Sequence, residues 1–477
     1  MPDSLMTPPQ FHTRLKPDSF VRKLDGIGFI YNIGNHRQEV FDASGAVFLQ
    51  QLSRNFRTGD EIAADLRRIF VGAPREVLLG DFGEFAAFLY QAGFVEVLGD
   101  IAQPAISPAA QAQHGSAAPA RDRGLAETSE FLKEHFSAHP TVFSFQFYTT
   151  ERCNERCVHC YVDRESHGRP LPLERRLALL DRLGAMGTLD VTFTGGEALM
   201  STGLPALIDR ARKNDLVISL LSNLTLLTDE LLDAIRNPNV DVVQTSIYSM
   251  DAEIHDAITR RPGSLKQTRS ALDRLRSAGV RVTISCPVLK ENRDSFQDVL
   301  RYGAESGIPV NCDFAIMAKE NGDAANLAHR LATGDLEGVV RAVLQGSPKY
   351  RERLEQNRDA LDAMSLDTCG VGNYMLCMKS NGEFLPCPGF GLVVGNAWDS
   401  DIGEVWRNSP QLAALRRFSR REQFPQCTSC GATAFCNFCL AKFHNEVGWE
   451  SGVIPTGYCE IARVNRRMAQ QHLGFRH

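Results

Sequence analysis

Short apolar runs alternate with amphipathic stretches through the middle of this 477-residue chain. Each apolar run predicts a strand, and each stretch with helical periodicity predicts a helix. Six strand and helix units in succession predict a parallel sheet with right-handed crossovers, either an open barrel or a doubly wound sheet. The predicted strands are 142–148, 191–194, 216–222, 240–247, 280–288 and 310–316, and the predicted helices include 173–186, 265–278 and 295–305.

The N-terminal part has a different pattern. Three short alternating stretches predict strands, and three longer periodic stretches predict helices. Thr58 followed by Gly59, Asp60 and Glu61 suits a helix N-terminus, because a capping hydroxyl and early acids stabilise one. Together these elements predict a winged-helix-like module. The strands are 20–24, 27–31 and 38–41, and the helices are 44–52, 60–70 and 76–91.

Two further changes of composition divide the chain. An Ala- and Pro-rich stretch follows residue 100 and predicts a flexible linker. After about residue 359 periodicity gives way to Cys, Gly and Pro, so a bound metal would have to supply much of the stability there. We therefore expect an N-terminal module at 1–100, a linker at 101–125, an α/β barrel at 126–350 and a cysteine-rich domain at 351–477.

Composition indicates a soluble globular protein, with 43% apolar and 23% charged residues and a net charge of −5. That balance favours neither nucleic acid nor a membrane as a partner. No apolar run is long enough for a membrane span, and Met1 to Gln10 has no secretion pattern, so we expect a cytoplasmic protein. In such a compartment the 13 cysteines indicate metal or redox chemistry rather than disulfides.

Cys153, Cys157 and Cys160 spell C-x3-C-x2-C just after the first predicted barrel strand. Barrel enzymes place their chemistry at this end of a strand. Three thiolates can hold three irons of a [4Fe–4S] cube and leave the fourth iron open; a zinc site or chance clustering is the alternative. The pattern resembles the radical SAM superfamily. That resemblance implies that S-adenosylmethionine binds the open iron and that one electron cleaves it to a 5′-deoxyadenosyl radical.

Gly195, Gly196 and Glu197 follow the second predicted strand. Glycines allow close approach to a ligand and a carboxylate suits an ammonium group, although Gly-Gly-Glu alone would only mark a turn. The segment resembles the one that binds the methionine amine in radical SAM enzymes. Ser222, Asn223 and Ser246 resemble positions that touch the cofactor's carboxylate or ribose; ordinary polar residues at strand ends are the alternative.

The C-terminal cysteines have the spacing Cys-x7-Cys-x4-Gly-x4-Cys, then Cys-x2-Cys-x5-Cys-x2-Cys and a final Cys. This resembles the SPASM domain, with x2 in place of x3 in the second group. Eight thiolates can fully ligate two cubes, which favours an electron relay; a zinc ribbon is the alternative. The resemblance implies one cluster on Cys369, Cys377, Cys387 and Cys439, and another on Cys427, Cys430, Cys436 and Cys459.

The N-terminal module resembles the PqqD-like peptide chaperones and related RiPP recognition elements. The resemblance is carried by Val40 to Ala46, Thr58 to Ile62 and Ala92 to Val95. It implies that the leader of a precursor peptide or small protein subunit adds as a strand to a sheet edge near Gln38 to Asp42. A purely structural or dimerising winged helix is the alternative.

The resemblance covers nearly the whole chain and implies an enzyme, a radical SAM peptide or protein maturase with three [4Fe–4S] clusters. It implies a flavodoxin- or ferredoxin-like electron donor and indicates no catalytic base. The domain order resembles the maturases that form thioethers in the small subunit of quinohemoprotein amine dehydrogenase. Carbon–carbon crosslinking, sulfatase maturation and a non-catalytic zinc scaffold are the alternatives. Sulfatase maturation is disfavoured because Cys387 precedes Pro388 and Gly389 instead of an acid.

Overall fold

A computed structural model of the chain describes residues 11–99, 125–164, 168–359, 369–418 and 423–473. The linker predicted at 101–125 lies outside these ranges except for its last residue. None of the helices within them combines the length and apolar character that crossing a membrane requires. The chain divides into two compact units, Met1–His135 with Asp215–Val217 and Phe136–Asn214 with Ile218–His477.

The N-terminal unit contains two three-stranded antiparallel sheets, which lie in the orders β5-β1-β6 and β2-β3-β4. The second sheet and the three helices were predicted, whereas the first sheet was missed, so the module is larger than a three-stranded winged helix. The strands are β1 (Phe11–Leu15), β2 (Ser19–Leu24), β3 (Ile27–Asn32), β4 (Gln38–Phe41), β5 (Arg57–Thr58) and β6 (Val95–Gly99), and the helices are α1 (Ala43–Leu49), α2 (Gly59–Ile69) and α3 (Arg75–Gln91).

A phenylalanine-rich core holds this unit together, with Phe11, Phe48 and Phe82 all buried within it. The predicted helix start at Thr58 is confirmed. Its hydroxyl accepts a hydrogen bond from the backbone N–H of Glu61, and the Glu61 side chain accepts one from the backbone N–H of Thr58. This reciprocal capping box satisfies two backbone donors that the first turn of the helix leaves without partners.

The second unit contains a partial (β/α)6 barrel of six parallel strands. The strands lie side by side in chain order, so the sheet has no switch point and is not doubly wound. The strands are β7 (Ser144–Thr150), β8 (Asp190–Gly195), β9 (Val217–Leu221), β10 (Val240–Ser246), β11 (Val282–Pro287) and β12 (Val310–Asp313). Helix α4 (Leu125–Ala138) precedes them, and α5 (Leu173–Ala185), α6 (Leu204–Lys213), α7 (Asp229–Ile235), α8 (Ala252–Thr259), α9 (Ser264–Ser277) and α10 (Phe296–Ser306) lie between them.

The cysteine-rich segment continues the barrel sheet. Strand β13 (Met375–Met378) pairs in parallel with β7, and β14 (Glu383–Leu385) and β15 (Gly395–Asn396) follow antiparallel, which gives a nine-stranded sheet. These three strands were not predicted. The remaining helices are α11 (Thr333–Gly346), α12 (Pro348–Asp359), α13 (Ile402–Asn408), α14 (Pro410–Phe418), α15 (Pro425–Thr428), α16 (Leu440–Val447) and α17 (Thr456–His472).

Candidate functional site

The three-cysteine loop that follows β7 is held by backbone hydrogen bonds. Arg156 N donates to the carbonyl of Thr259 at the end of α8, with a distance of 2.9 Å. Cys160 N donates to the carbonyl of Cys157 at 3.2 Å, which turns the chain within the loop. The loop therefore has a defined backbone, and it keeps three thiols at the carboxyl end of the first barrel strand.

The environment of these thiols suits a positively charged metal group. Burial raises the pKa of Cys153 to about 11 and raises the pKa of Cys157 further above its ordinary value. Buried thiols of this kind ionise when a cation binds them. Donors already point at the sulfurs, since Glu155 N lies 3.4 Å from Cys153 Sγ and Arg164 Nη2 lies 3.3 Å from Cys160 Sγ.

A single metal ion and an iron–sulfur cube make different demands on their cysteine ligands. The described residues contain no group of three or more His, Cys, Asp or Glu side chains that could hold one metal ion. Zinc needs all its ligands around one centre, at about 2.3 Å for sulfur. In a [4Fe–4S] cube each cysteine binds a different iron, so the sulfurs lie further apart. Three cysteines that do not converge on one ion can still hold a cube.

The close approach of the cysteine loop requires two glycines at the end of β8, Gly195 and Gly196. Gly195 has a φ of +129°, and a Cβ there would lie 2.2 Å from the Thr150 carbonyl oxygen. A Cβ on Gly196 would lie 2.4 Å from the carbonyl oxygens of both Glu151 and Arg152. A side chain at either position would displace the start of the loop. The glycines therefore let two neighbouring strand ends approach each other.

Glu197 follows these glycines, and its carboxylate accepts hydrogen bonds from three groups of the protein. It is 1% exposed and accepts hydrogen bonds from Leu199 N at 2.9 Å, Ser222 Oγ at 2.6 Å and Asn223 N at 2.7 Å. Burial raises the pKa of Glu197, whereas these three donors lower it. The sequence led us to expect this carboxylate opposite an ammonium group. In the structure these hydrogen bonds join it to the turn after β9, and its contact with an ammonium group stays a prediction.

A cavity of about 320 Å³ brings most of the predicted residues together at the carboxyl ends of the barrel strands. Its size lies at the lower end of the range for small-molecule sites. Asn223 Nδ2 and Tyr248 Oη each lie 3.9 Å from a loop sulfur, of Cys153 and Cys157 respectively. The predicted residues that line the cavity are Cys153, Cys157, Cys160, Gly195, Gly196, Ser222, Asn223 and Ser246; Glu197 does not line it.

Several cavity residues were missed by sequence reasoning. Gln244 precedes Ser246 by two positions on β10, and Ser285 lies on β11. Successive side chains of a strand point to opposite faces, so residues two positions apart share a face. Two such polar residues near the end of an apolar strand could therefore have indicated a polar cavity there. Tyr248 follows β10. Lys442 comes from α16, and no local pattern could have placed it here.

Four of the C-terminal cysteines lie near one another. Burial raises the pKa of Cys387, and the charges of Cys369, Cys439 and Cys377 raise it further. Cys377 lies on β13 and is fully buried. This group has the same members as the first cluster implied by the SPASM resemblance.

The remaining C-terminal cysteines lie on a compact run of turns and on helix α17. Cys430 N donates to the carbonyl of Cys427 at 3.2 Å, and Cys436 lies at the end of the following short helical turn. Cys459 lies on α17, where the charge of Cys430 contributes to raising its pKa. The structure thus brings Cys459 close to Cys430, which is 29 positions earlier in the chain.

Two tyrosines connect the three-cysteine loop with the first C-terminal group. Tyr148 and Tyr161 pack in one small cluster with Cys160 and Cys377. Tyr148 Oη donates to Glu320 at 3.0 Å. Glu320 in turn forms a buried ion pair with Lys379 at 3.1 Å. The two groups of cysteines therefore share a continuous packed core.

Comparison with known proteins identifies both cysteine regions. A family model described as Radical SAM superfamily matches residues 147–303, and one described as Iron-sulfur cluster-binding domain (SPASM) matches residues 369–431. An AdoMet-dependent heme synthase of Nitratidesulfovibrio vulgaris is 26% identical over 65% of this chain and 90% of its own length. A PqqA peptide cyclase of Granulibacter bethesdensis is 21% identical over 59% of this chain and 77% of its own.

Among solved structures, SuiB of Streptococcus suis bound to its precursor peptide SuiA has a similar fold. The TM-score is 0.61 at 16% identity, over 92% of this chain and 98% of SuiB. The match leaves out less than a tenth of this chain, whereas the N-terminal unit makes up more than a quarter of it. The likeness in fold must therefore include most of the N-terminal unit.

Proposed function

We propose that this chain, a radical SAM enzyme with a SPASM domain, modifies a ribosomally made peptide or a small protein subunit. The observation that carries the proposal is strand β4, which lies at the edge of a sheet in the N-terminal unit. The heme synthase relatives are more similar in sequence than the peptide cyclase, and both kinds of relative match about two thirds of the chain or less. The fold match to a peptide-bound maturase extends over nearly all of it.

Strand β4 forms one edge of its sheet, and its hydrogen-bond pattern shows which groups point outward. Asn32 N donates to the carbonyl of Arg37 at 2.9 Å, so these opposed residues form a bonded pair. Bonded and non-bonded pairs alternate along an antiparallel ladder. Val40 lies opposite Phe29 in a non-bonded pair. The backbone N–H and C=O of Val40, and likewise of Gln38, therefore point away from β3.

Helix α3 supplies an aromatic surface beside this edge. Phe41 on β4 packs against Phe85 and Phe88 of α3, with ring centroids 5.0 Å and 6.1 Å apart. The Arg37 guanidinium lies 5.8 Å from the Phe88 ring centroid. A peptide that adds to β4 would gain backbone hydrogen bonds from the edge and apolar and cationic contacts from these side chains.

The barrel cavity provides the chemistry. A [4Fe–4S] cluster with S-adenosylmethionine supplies, when bound, a radical that removes hydrogen from an unactivated carbon. Cys153, Cys157 and Cys160 would hold the cluster, and Asn223 and Tyr248 would orient its sulfur ligands. The eight C-terminal cysteines would hold two further cubes. Their packed connection to the loop through Tyr148 and Tyr161 supports a relay role for them.

Within this class we propose thioether formation between a cysteine sulfur and a carbon, with the small subunit of quinohemoprotein amine dehydrogenase as the substrate. The domain order supports this choice. Co-expression with a short cysteine-rich reading frame beside the gene should give a product that lacks two hydrogens per crosslink and resists thiol alkylation. A product with the same mass loss and freely alkylated cysteines would indicate carbon–carbon crosslinks instead.

The test of peptide capture is Val40→Pro. Proline removes an outward N–H without breaking a bond to β3, so leader affinity should fall about tenfold or more while S-adenosylmethionine cleavage without peptide is unchanged. Binding is measured by fluorescence anisotropy with a labelled leader.

Lys23→Pro is the matched control. Lys23 is an exposed residue of β2, the strand at the opposite edge of the same sheet. Ile33 N donates to the carbonyl of Asp18, and by the same alternation the Lys23 N–H also points outward. Equal affinities for the two variants would refute docking at β4.

A further inference from the structure

The reaction cavity has two polar sides, and the chemistry above uses only one of them. Most of the predicted cofactor residues lie at the ends of β8 and β9, at Gly195, Gly196 and Asn223. Asp313 at the end of β12 and Lys442 on α16 line the same cavity. Strand β12 lies three strands away from β9, which is about 14 Å at the usual spacing of neighbouring strands. Asp313 and Lys442 therefore lie on a side of the cavity that a substrate can occupy beside the cofactor.

The charged side chains of the cavity have different neighbours. Among the described residues, those that line the cavity are Glu155, Arg164, Asp313 and Lys442. Glu155 and Arg164 are each hydrogen-bonded to a cysteine of the loop, at 3.4 Å and 3.3 Å. These two side chains therefore act on the loop itself. Lys442 supplies a positive charge on the side of the cavity formed by β12 and α16.

The carboxylate of Asp313 leaves Lys442 accessible to a ligand. Oδ1 of Asp313 accepts a hydrogen bond from the backbone N–H of Ala315 at 2.8 Å, which fixes the carboxylate. Oδ2 lies 3.5 Å from Lys442 Nζ, beyond the usual length of an N–H···O hydrogen bond. The Lys442 side chain is 15% exposed and that of Asp313 is 63% exposed, so water reaches the pair from the Asp313 side. An anion of the substrate can therefore approach the ammonium group, and a proton can leave to water.

Helix α16 fixes Lys442 beside the C-terminal cysteines. The helix begins after its N-cap residue Cys439, and Lys442 follows three positions later, which is about one turn. Asn445 on the same helix donates to the carbonyls of Ala318 at 3.1 Å and Gly389 at 2.7 Å. These hydrogen bonds hold the helix against the segment that follows β12. Lys442 thus connects the cavity with Cys439, which the SPASM resemblance gives as a ligand of the first C-terminal cluster.

We infer that Lys442 binds the thiolate of the substrate cysteine and holds its sulfur beside the carbon radical. An ammonium group next to a thiol favours ionisation, because it stabilises the negative charge of the sulfur. The position of Lys442 on α16 also brings that sulfur towards the first C-terminal cluster. The inference rests on the proposed thioether function and names the residue that would select the thiol.

The atoms and electrons of this step balance. One C–H bond of the substrate breaks, and its hydrogen atom goes to the 5′-deoxyadenosyl radical. The S–H bond breaks, and its proton goes to water. The C–S bond forms from the electron pair of the sulfur and the unpaired electron of the carbon, and the surplus electron reduces an oxidised C-terminal cluster. The substrate thereby loses two hydrogens per crosslink.

Lys442→Met tests the inference, because methionine keeps much of the length of the side chain and removes its charge. Reconstituted full-length variants are incubated with the peptide encoded by the short cysteine-rich reading frame beside the gene. Crosslinks per 5′-deoxyadenosine should fall about tenfold while cleavage of S-adenosylmethionine continues. The reason is that a thiol whose pKa returns from about 7.5 to about 8.5 is about tenfold less ionised near neutral pH. Lys442→Arg keeps the charge and should retain most of the coupling between cleavage and crosslinking.

Lys319→Met is the matched control. Lys319 forms a similar ion pair, with Asp323 at 2.6 Å, but it is not among the described residues that line the reaction cavity. Its coupling should equal that of the wild type, and iron analysis of every variant detects loss of a cluster. Unchanged coupling in Lys442→Met, or an equal loss in Lys442→Arg, would overturn the inference. A wild-type product with freely alkylated cysteines would instead refute the thioether function, and the inference with it.

Discussion

The loop cysteines and the C-terminal cysteines differ in number and in surroundings. Three loop thiols line a cavity shared with glycine backbone, an amide and a phenol. Eight C-terminal thiols lie among turns and helices and on one buried strand, where Cys377 is part of the barrel sheet. An incomplete ligand set beside a cavity suits a reactive cluster, whereas complete sets suit electron transfer. We therefore expect the two groups of cysteines to have different roles.

Cys157→Ala should produce the largest effect and would separate the two regions. Loss of one of three ligands removes the loop cluster, so cleavage of S-adenosylmethionine should fall below detection. The C-terminal clusters should survive, which would lower iron from about twelve to about eight per chain. Chromatography of 5′-deoxyadenosine and iron analysis measure both quantities. Full cleavage activity in this variant would refute the assignment of the loop.

Cys387→Ala tests the C-terminal cysteines in the same way. We expect loss of about four irons and at least a tenfold fall in crosslinked product, while uncoupled cleavage of S-adenosylmethionine continues. Cys387→Ser, which keeps the size of the side chain, controls for a packing defect. Parallel loss of cleavage and product in the serine variant would show that the two regions do not have separate roles.

Sequence reasoning reached the barrel strands and the cysteine groups but not the hydrogen-bond partners of Glu197. A run of apolar residues indicates a buried parallel strand, and this signal does not depend on which residues contact the strand in the fold. The partners of Glu197, Ser222 and Asn223, lie about 25 residues later, and no local pattern reveals that a carboxylate is already engaged. Lys442 was missed for the same reason, as were β13 to β15, whose two to four residues carry no periodicity.

Glu197→Ala tests what the buried carboxylate does, and we expect a moderate effect on cofactor binding. Removal of the carboxylate leaves buried donors of Ser222 and Asn223 without partners, at a cost of about 1–3 kcal/mol. We expect roughly tenfold weaker binding of S-adenosylmethionine, measured by equilibrium dialysis. Glu197→Gln retains part of the hydrogen bonding and should lose less. A direct ionic contact with the cofactor's amine would instead make both variants equally weak.

Tyr248→Phe should have the smallest effect. The Tyr248 hydroxyl lies 3.9 Å from Cys157 Sγ, which is a long hydrogen bond to sulfur. Its loss should change the cleavage rate only a few fold and shift the reduction potential of the loop cluster, because hydrogen bonds to sulfur tune that potential. Redox titration followed by electron paramagnetic resonance measures the shift. An unchanged potential would show that the hydroxyl does not act on the sulfur.

The pairing of β13 with β7 has a consequence for biosynthesis. Ser380, just after β13, donates its backbone N–H to Glu151, which was made 229 residues earlier. Until the ribosome has released that late strand, one side of the nascent barrel has no hydrogen-bonding neighbour. A chain stopped after residue 359 should therefore aggregate rather than fold, since unpaired strand edges associate with one another.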